Sequence, residues 1–307
     1  MSADAVVFDG VTRRYGALEA VSGLSLSIRP GEMFGLIGPD GAGKTTTIRM
    51  ICGLLAADTG RIEVLGLDPV RQHREVTTKV GYLSQRFSLY ADLSINENIA
   101  FFAEIHGMRH YEAARDRLLA MTQLSPFGNR LAGQLSGGMK QKLALACTLI
   151  HEPRLIVLDE PTTGVDPVSR REFWKLLSEF LSQGITIVMA TPYLDEAERC
   201  SRVALLHNGK LLALDTPGAL RTTLPGSMFE VIAADHRRAI AALRGFDGAA
   251  NVQLFGERAH VRVDRYVPDA EAAIARHLTA AGVPVSSIRQ VQPSLEDVFV
   301  TRLGDTQ

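Results

Sequence analysis

Two groups of residues in this chain have the types and spacing to do chemistry. The first is Gly38-Pro39-Asp40-Gly41-Ala42-Gly43-Lys44-Thr45, followed by Thr46. Its glycines let the backbone turn tightly enough for N–H groups to face phosphate oxygens, and a following helix N-terminus adds partial positive charge. Lys44 can then reach β- and γ-phosphates, and the Thr45 hydroxyl suits Mg²⁺. The second group is Asp159-Glu160, at the end of the apolar run Leu155-Ile156-Val157-Leu158. Asp159 suits Mg²⁺, and Glu160, one residue on, suits orienting and polarising a water for in-line displacement at a γ-phosphate. Alone, the acids also fit a solvated strand end, and the glycines an ordinary strand-to-helix turn. Together they point to phosphoryl transfer from a nucleoside triphosphate.

The elements that must position these groups are legible in the hydrophobic pattern. Residues 33–37 read as a buried strand entering the glycine loop, and 46–51 as the helix leaving it. Residues 5–8, 17–21 and 24–28 read as a three-strand β-meander ended by Pro30-Gly31, and 61–65 as another strand after the turn at 58–60. From 95 to 150 the pattern is helical, which marks an insertion over about 87–150. Residues 155–158 and 185–190 flank a helix over 170–183, the signature of a parallel sheet covered on both faces. After Pro225-Gly226 the order is strand 228–232, helix 236–244, strands 251–255 and 260–263, helix 269–281, strand 283–291 and a helix from Pro293. That β-α-β-β-α-β order suggests a ferredoxin-like domain. The expected fold is therefore α/β: a P-loop NTPase core with an N-terminal antiparallel β subdomain and a helical subdomain over 1–222, plus a small α+β ferredoxin-like domain over 226–303.

Composition narrows the function classes. The 307 residues carry 33 Lys+Arg against 34 Asp+Glu, so no global charge recruits nucleic acid or an anionic membrane. No apolar stretch approaches the roughly 20 residues of a bilayer span, and the first residues lack a basic-then-apolar leader, so we expect a cytoplasmic protein without a membrane-crossing segment. Cys52, Cys147 and Cys200 are widely spaced in apolar or helical stretches and suit reduced core thiols.

Further motifs make a resemblance specific. Leu135-Ser136-Gly137-Gly138-Met139-Lys140-Gln141-Lys142 is similar to the signature motif of ATP-binding-cassette (ABC) ATPases. Gln85, in Gly81-Tyr82-Leu83-Ser84-Gln85, matches that family's Q-loop glutamine; Gly164-Val165-Asp166-Pro167 matches its D-loop; Tyr15 fits the aromatic that stacks on adenine. The resemblance covers residues 5 to about 220. It implies ATP and Mg²⁺ as cofactors, with Glu160, Lys44 and Gln85 catalytic and Thr45, Gln85 and Asp159 at the metal. Nucleotide contacts would come from Tyr15, Gly38, Pro39, Asp40, Gly41, Ala42, Gly43, Lys44, Thr45 and Thr46. Ser136, Gly137, Gly138 and Asp166 would complete the ATP site of an opposed second cassette in a homo- or heterodimer.

One family part is missing. The strand over 185–190 leads to Thr191-Pro192-Tyr193, which puts Pro192 where the family has its switch histidine. Proline has neither side-chain donor nor backbone N–H to replace that contact. The run Ser88-Leu89-Tyr90-Ala91-Asp92-Leu93-Ser94 and the closing Pro293-Ser294-Leu295-Glu296-Asp297-Val298-Phe299 resemble ATPase subunits of bacterial ABC-2-type exporters, in particular the first cassette of tandem-cassette drug-efflux ATPases. The implied partners are transmembrane ABC-2 permease subunits, a second nucleotide-binding domain and, in the same system, a membrane-fusion protein; no nucleic acid is expected. Because the chain stops after one cassette and its C-terminal domain, we expect no covalently linked second cassette. Phe87, Leu89 and Tyr90 fit either a docking groove for a permease helix or packing of the helical insertion. Three functions compete: an exporter ATPase, a soluble ABC ATPase acting on ribosomes or DNA, and a nucleotide-binding partner with little turnover, which Pro192 favours.

Overall fold

The computed structural model describes residues 4–85, 89–263 and 267–304. The chain forms two compact units, Met1–Thr216 and Pro217–Gln307. The boundary lies ahead of Pro225-Gly226, because the short helix α8 (Pro217–Thr222) packs within the second unit against the closing helix α11 (Leu295–Gly304) and buries Leu220.

The start of the first unit differs from the expected meander. Residues expected to make three short meander strands make two long ones, β1 (Val6–Tyr15) and β2 (Leu18–Ile28). The register slips near Gly10 and Gly23, both at positive φ, and such bulges interrupt the alternation that reads as a strand from sequence. The third strand of this sheet is β4 (Thr59–Val64), in the order β2-β1-β4.

The central sheet has the order β5-β6-β7-β3-β8-β9. Its parallel strands are β3 (Met33–Ile37), β5 (Val80–Leu83), β6 (Leu155–Asp159), β7 (Thr186–Thr191) and β8 (Arg202–His207). β3, β6 and β7 are buried along their whole length, which is why they read as uninterrupted apolar runs. An antiparallel edge strand, β9 (Lys210–Asp215), pairs with β8 through a two-residue turn at Asn208-Gly209, both at positive φ. Asn-Gly between apolar runs was a readable hairpin signal there.

Helix α1 (Lys44–Ile51) starts at Lys44, earlier than its apolar periodicity indicates, with Gly43 left-handed at its N-cap. After the short α2 (His73–Thr77) come the insertion helices α3 (Ile95–Ile105), α4 (Glu112–Thr122) and α5 (Gly137–Leu149), then α6 (Pro167–Ser182) and the one-turn α7 (Leu194–Ala197). Ser94 and Glu97 form a reciprocal capping box at α3. The fully buried Asn98 donates to the carbonyls of Tyr90, Leu93 and Ser94 and accepts from the Tyr90 N–H, fixing the approach to that helix. Tyr90 sets its half-exposed ring edge-on against Phe101, 4.6 Å between centroids, so it packs on the insertion while facing solvent. Phe87 and Ser88 lie outside the described residues. Cys52, Cys147 and Cys200 are unpaired and buried, and burial pushes their thiol pKa values up. No helix among the described residues is long and apolar enough to cross a membrane.

In the second unit β10 (Ser227–Ala233), β11 (Ala249–Phe255), β12 (Arg258–Val263) and β13 (Val285–Val291) form an antiparallel sheet in the order β11-β12-β10-β13. Helices α9 (His236–Leu243) and α10 (Ala270–Ala280) close its core over Phe229, Val261, Ile274 and Leu278. Ser294 and Asp297 exchange hydrogen bonds at the start of α11, and Asp297 also meets His260 Nδ1 at 2.9 Å. Glu230 lies 3.8 Å from the other His260 nitrogen and accepts from Arg258 and Arg289.

Burial opposes charge on His260, but the Asp297 hydrogen bond and the Asp297 and Glu230 charges outweigh it and raise its pKa. Burial likewise opposes the Asp297 carboxylate, yet the His260 and Ser294 hydrogen bonds hold its pKa down. The His260 contribution to stability is complete below the ordinary value of 6.5 and fades as pH rises through the higher folded-state value. That of Asp297 is present above its ordinary 3.8 and disappears as pH falls through the lower folded-state value. Thermal unfolding of the second unit should therefore shift to lower temperature from about pH 6 to about pH 8, and His260→Gln should flatten that dependence in circular-dichroism melts of the full chain.

Candidate functional site

The C-terminal ends of β3, β5, β6 and β7 converge on one cleft of about 580 Å³, as ligand sites do in open α/β sheets. It is lined by Asp40 through Thr46 from the glycine loop, by Gln85 and Glu160, by Tyr15, Leu18 and Ala20 from the antiparallel sheet, and by Thr163, Pro192 and Tyr193. Asp159, 2% exposed, sits behind Thr45. Gly38 and Pro39 support the loop from beneath, through carbonyls that accept from Lys44.

Close backbone approach forces two of the loop glycines. A Cβ on Gly38 would stand 2.2 Å from the Leu206 carbonyl oxygen, and one on Gly43, at φ +99°, would stand 2.4 Å from that of Ala20. The loop therefore leaves a cradle bounded by its own backbone, with Gly43 handing directly into α1. This fits a polyphosphate, which needs converging N–H groups and a helix N-terminus.

Lys44 is 4% exposed, and its Nζ donates to the carbonyls of Gly38 (2.8 Å) and Pro39 (3.0 Å) while lying 3.7 Å from Glu160 Oε1. The other Glu160 oxygen accepts from Gln85 Nε2 at 3.0 Å. Glu160 adopts φ +51°, and its N–H donates to the Ala190 carbonyl on β7. A non-glycine residue held left-handed is backbone strain of the kind that collects at functional sites. The Thr45 hydroxyl donates to Asp159 Oδ1 at 3.1 Å. Burial raises the Asp159 pKa and the nearby Glu160 charge adds to the rise, opposed by Thr45, Arg49 and Lys44. A hydroxyl and a carboxylate oxygen in contact are a donor set that suits Mg²⁺.

Tyr15 is 44% exposed, beneath the Arg13 guanidinium at 5.3 Å, and pairs across the β1–β2 hairpin end with exposed Leu18. Leu18 and Ala20 were missed from sequence; reading the hairpin instead of a meander would have placed Leu18 opposite Tyr15. Thr163 and Tyr193 carried no motif signal of their own.

The residues expected to serve an opposed cassette lie outside this cleft. Ser136 is the exposed N-cap of α5, accepting from the Met139 N–H, and Gly138 packs against α6, where a Cβ would meet Ser169 Oγ at 2.2 Å. Asp166 caps α6 by accepting from the Val168 and Ser169 N–H groups, and the Ser169 hydrogen bonds hold its pKa down. None of these, nor Gly137, is among the cleft-lining residues.

Comparison with known proteins finds matches to both units of the chain. A family model described as "ABC transporter" matches residues 21–163, and one described as "ATP-binding protein DrrA1-3-like, C-terminal domain" matches residues 216–302. The chain is 40% identical to "Probable multidrug ABC transporter ATP-binding protein YbhF" of Escherichia coli (strain K12), over 98% of this chain and 52% of that protein, and so spans about half the length of that relative. It is 35% identical to "Daunorubicin resistance ATP-binding protein DrrA2" of Streptomyces coeruleorubidus, over 99% and 96% of the two chains. A solved structure described as "Structure of ATP binding subunit of ABC transporter" superposes with a TM-score of 0.64 at 29% identity, covering 71% of this chain and 92% of that one.

The contacts of the loop set an order of tolerance. Gly38→Ala and Gly43→Ala should each lower stability in urea unfolding by about 1–3 kcal/mol. Gly41→Ala, whose added Cβ meets open space, should cost less, keeping only the strain of its left-handed φ of +78°.

Proposed function

Because this chain belongs to the ABC transporter ATP-binding proteins, we propose that it binds and hydrolyses MgATP to power an ABC-2-type membrane exporter, with drug or xenobiotic efflux as its work. The observation that carries this reading is the chain of contacts from Gln85 through Glu160 to Lys44, beside the Thr45–Asp159 pair in the same cleft.

Lys44 is held by loop carbonyls in reach of where a terminal phosphate would enter, so it exchanges carbonyl partners for phosphate oxygens when ATP binds. Tyr15, at the outer edge of the cleft, offers a ring face to the base. Thr45 and Asp159 are the residues that would hold Mg²⁺, whose contribution is to neutralise charge between the β- and γ-phosphates. Gln85 fixes one Glu160 oxygen and leaves the carboxylate to orient and polarise the attacking water.

Ser136, Gly137, Gly138 and Asp166 stand apart from this cleft, in keeping with completing the site of an opposed second cassette, whether a copy of this chain or a different one. Transmembrane permease subunits would hold the protein on the cytoplasmic face of the membrane and set the cargo, and a membrane-fusion protein would join the same system. The second unit, with strand order β11-β12-β10-β13, is read as a ferredoxin-like module. A second reading, a nucleotide-binding partner of weak turnover in an asymmetric heterodimer, is favoured by Pro192 on the cleft wall. Without a donor there, charge on the transferring phosphoryl group is less stabilised.

Calorimetric titration should show that Lys44→Ala abolishes MgATP binding at millimolar nucleotide, whereas Tyr15→Ala weakens it by about 1–3 kcal/mol; unchanged binding by Lys44→Ala would remove the proposal. In the assembled transporter, Ser136→Arg should reduce hydrolysis more than Glu160→Gln does if the two sites are unequal. Complete arrest by Glu160→Gln would instead show that this chain's own site carries the turnover.

A further inference from the structure

One buried carboxylate, outside the groups assigned to phosphate or metal, touches three separate parts of the cleft's surroundings. Glu196 on α7 is 1% exposed. Its Oε1 accepts from Thr162 Oγ1 at 2.5 Å, in the loop that leaves Glu160. Its Oε2 accepts from Thr191 Oγ1 at 2.7 Å, at the end of β7 beside Pro192. Arg170 on α6 brings its Nε to 3.8 Å from Oε1. Thr162 and Thr191 are as buried as Glu196 itself.

The same partners hold Tyr193 from both ends. Its N–H donates to the Thr191 hydroxyl at 3.1 Å, and the Arg170 guanidinium covers its ring at 5.2 Å. Tyr193, Pro192 and Glu160 all line the cleft. Glu196 thus joins the loop carrying Glu160, the helix after Asp166 and the segment carrying Tyr193. An ionised carboxylate is costly to bury, and a site that needed only packing would be served by an apolar side chain of similar volume. Here each carboxylate oxygen takes a hydroxyl from a different segment, so neither segment can shift alone without leaving a buried acceptor unpaired.

We propose that Glu196 is a positioning residue that locks the Pro192–Tyr193 segment to the loop carrying Glu160, fixing the spacing of these two walls of the cleft where no histidine is present to bridge to the nucleotide. The inference rests on the reading of the cleft as an ATP-hydrolysis site. Glu196→Gln keeps the volume and one acceptor but loses the charge and one acceptor oxygen.

In the full chain, hydrogen exchange followed by NMR at the amides of Thr163, Val165 and Tyr193 should accelerate together in Glu196→Gln, by about tenfold. MgATP affinity should stay within about twofold while the single-turnover hydrolysis rate falls by about tenfold, the pattern of lost transition-state positioning. Thr191→Val added to Glu196→Gln should produce little further loss, because the two act through one contact. Faster exchange in only one of the two segments, or affinity and turnover falling in parallel with the thermal midpoint, would overturn the proposal. If the unaltered chain binds no MgATP, the reading of the cleft fails instead, and the exchange measurement still decides whether Glu196 locks the two segments.

Discussion

The first unit is organised around a buried positive charge. Lys44 has almost no contact with water, and an unpaired ammonium there would cost several kcal/mol, on the order expected for a desolvated ion. The loop meets this demand with the Gly38 and Pro39 carbonyls, and the opposite strand end meets it with Glu160. In the proposed function the same charge that must be satisfied for folding would exchange these partners for a polyphosphate, so that loop shape and phosphate binding would answer one electrostatic requirement.

That requirement explains the crowding around it. The loop approaches the carbonyls of Leu206 and Ala20 closely enough that a single methyl at Gly38 or Gly43 would collide with backbone. Leu206 belongs to β8 and Ala20 to β2, so the central sheet and the antiparallel sheet both press on the loop. The shape of the cradle is therefore set by sheet packing as well as by the flexibility of glycine.

A second buried charge serves a different end. Glu196 has two hydroxyls and a guanidinium around it, each from a different segment, and it converts three separate stretches into one wall. In the second unit, His260, Asp297 and Glu230 do comparable work between β12, α11 and β10. Polar side chains joined to partners distant in sequence recur where the chain needs a fixed spacing, because hydrogen bonds specify distance and direction while apolar contacts mainly specify volume.

The sequence by itself determined most of the elements and singled out the candidate site. Gly38 through Thr45, Asp159 and Glu160 stood out because phosphate binding would constrain residue type at fixed local spacing, and β3, β6 and β7 were legible because full burial makes an uninterrupted apolar run. Local pattern failed where bulges at Gly10 and Gly23 broke the alternation of β1 and β2, and where α1 began at polar residues that carry no periodicity. Tertiary structure alone decided which distant residues meet. Nothing in the order of residues says that Thr162 and Thr191 share one carboxylate, or that the carbonyls of Leu206 and Ala20 close on the glycine loop. Those outcomes depend on the crossing of strands far apart in the chain, which local spacing does not encode.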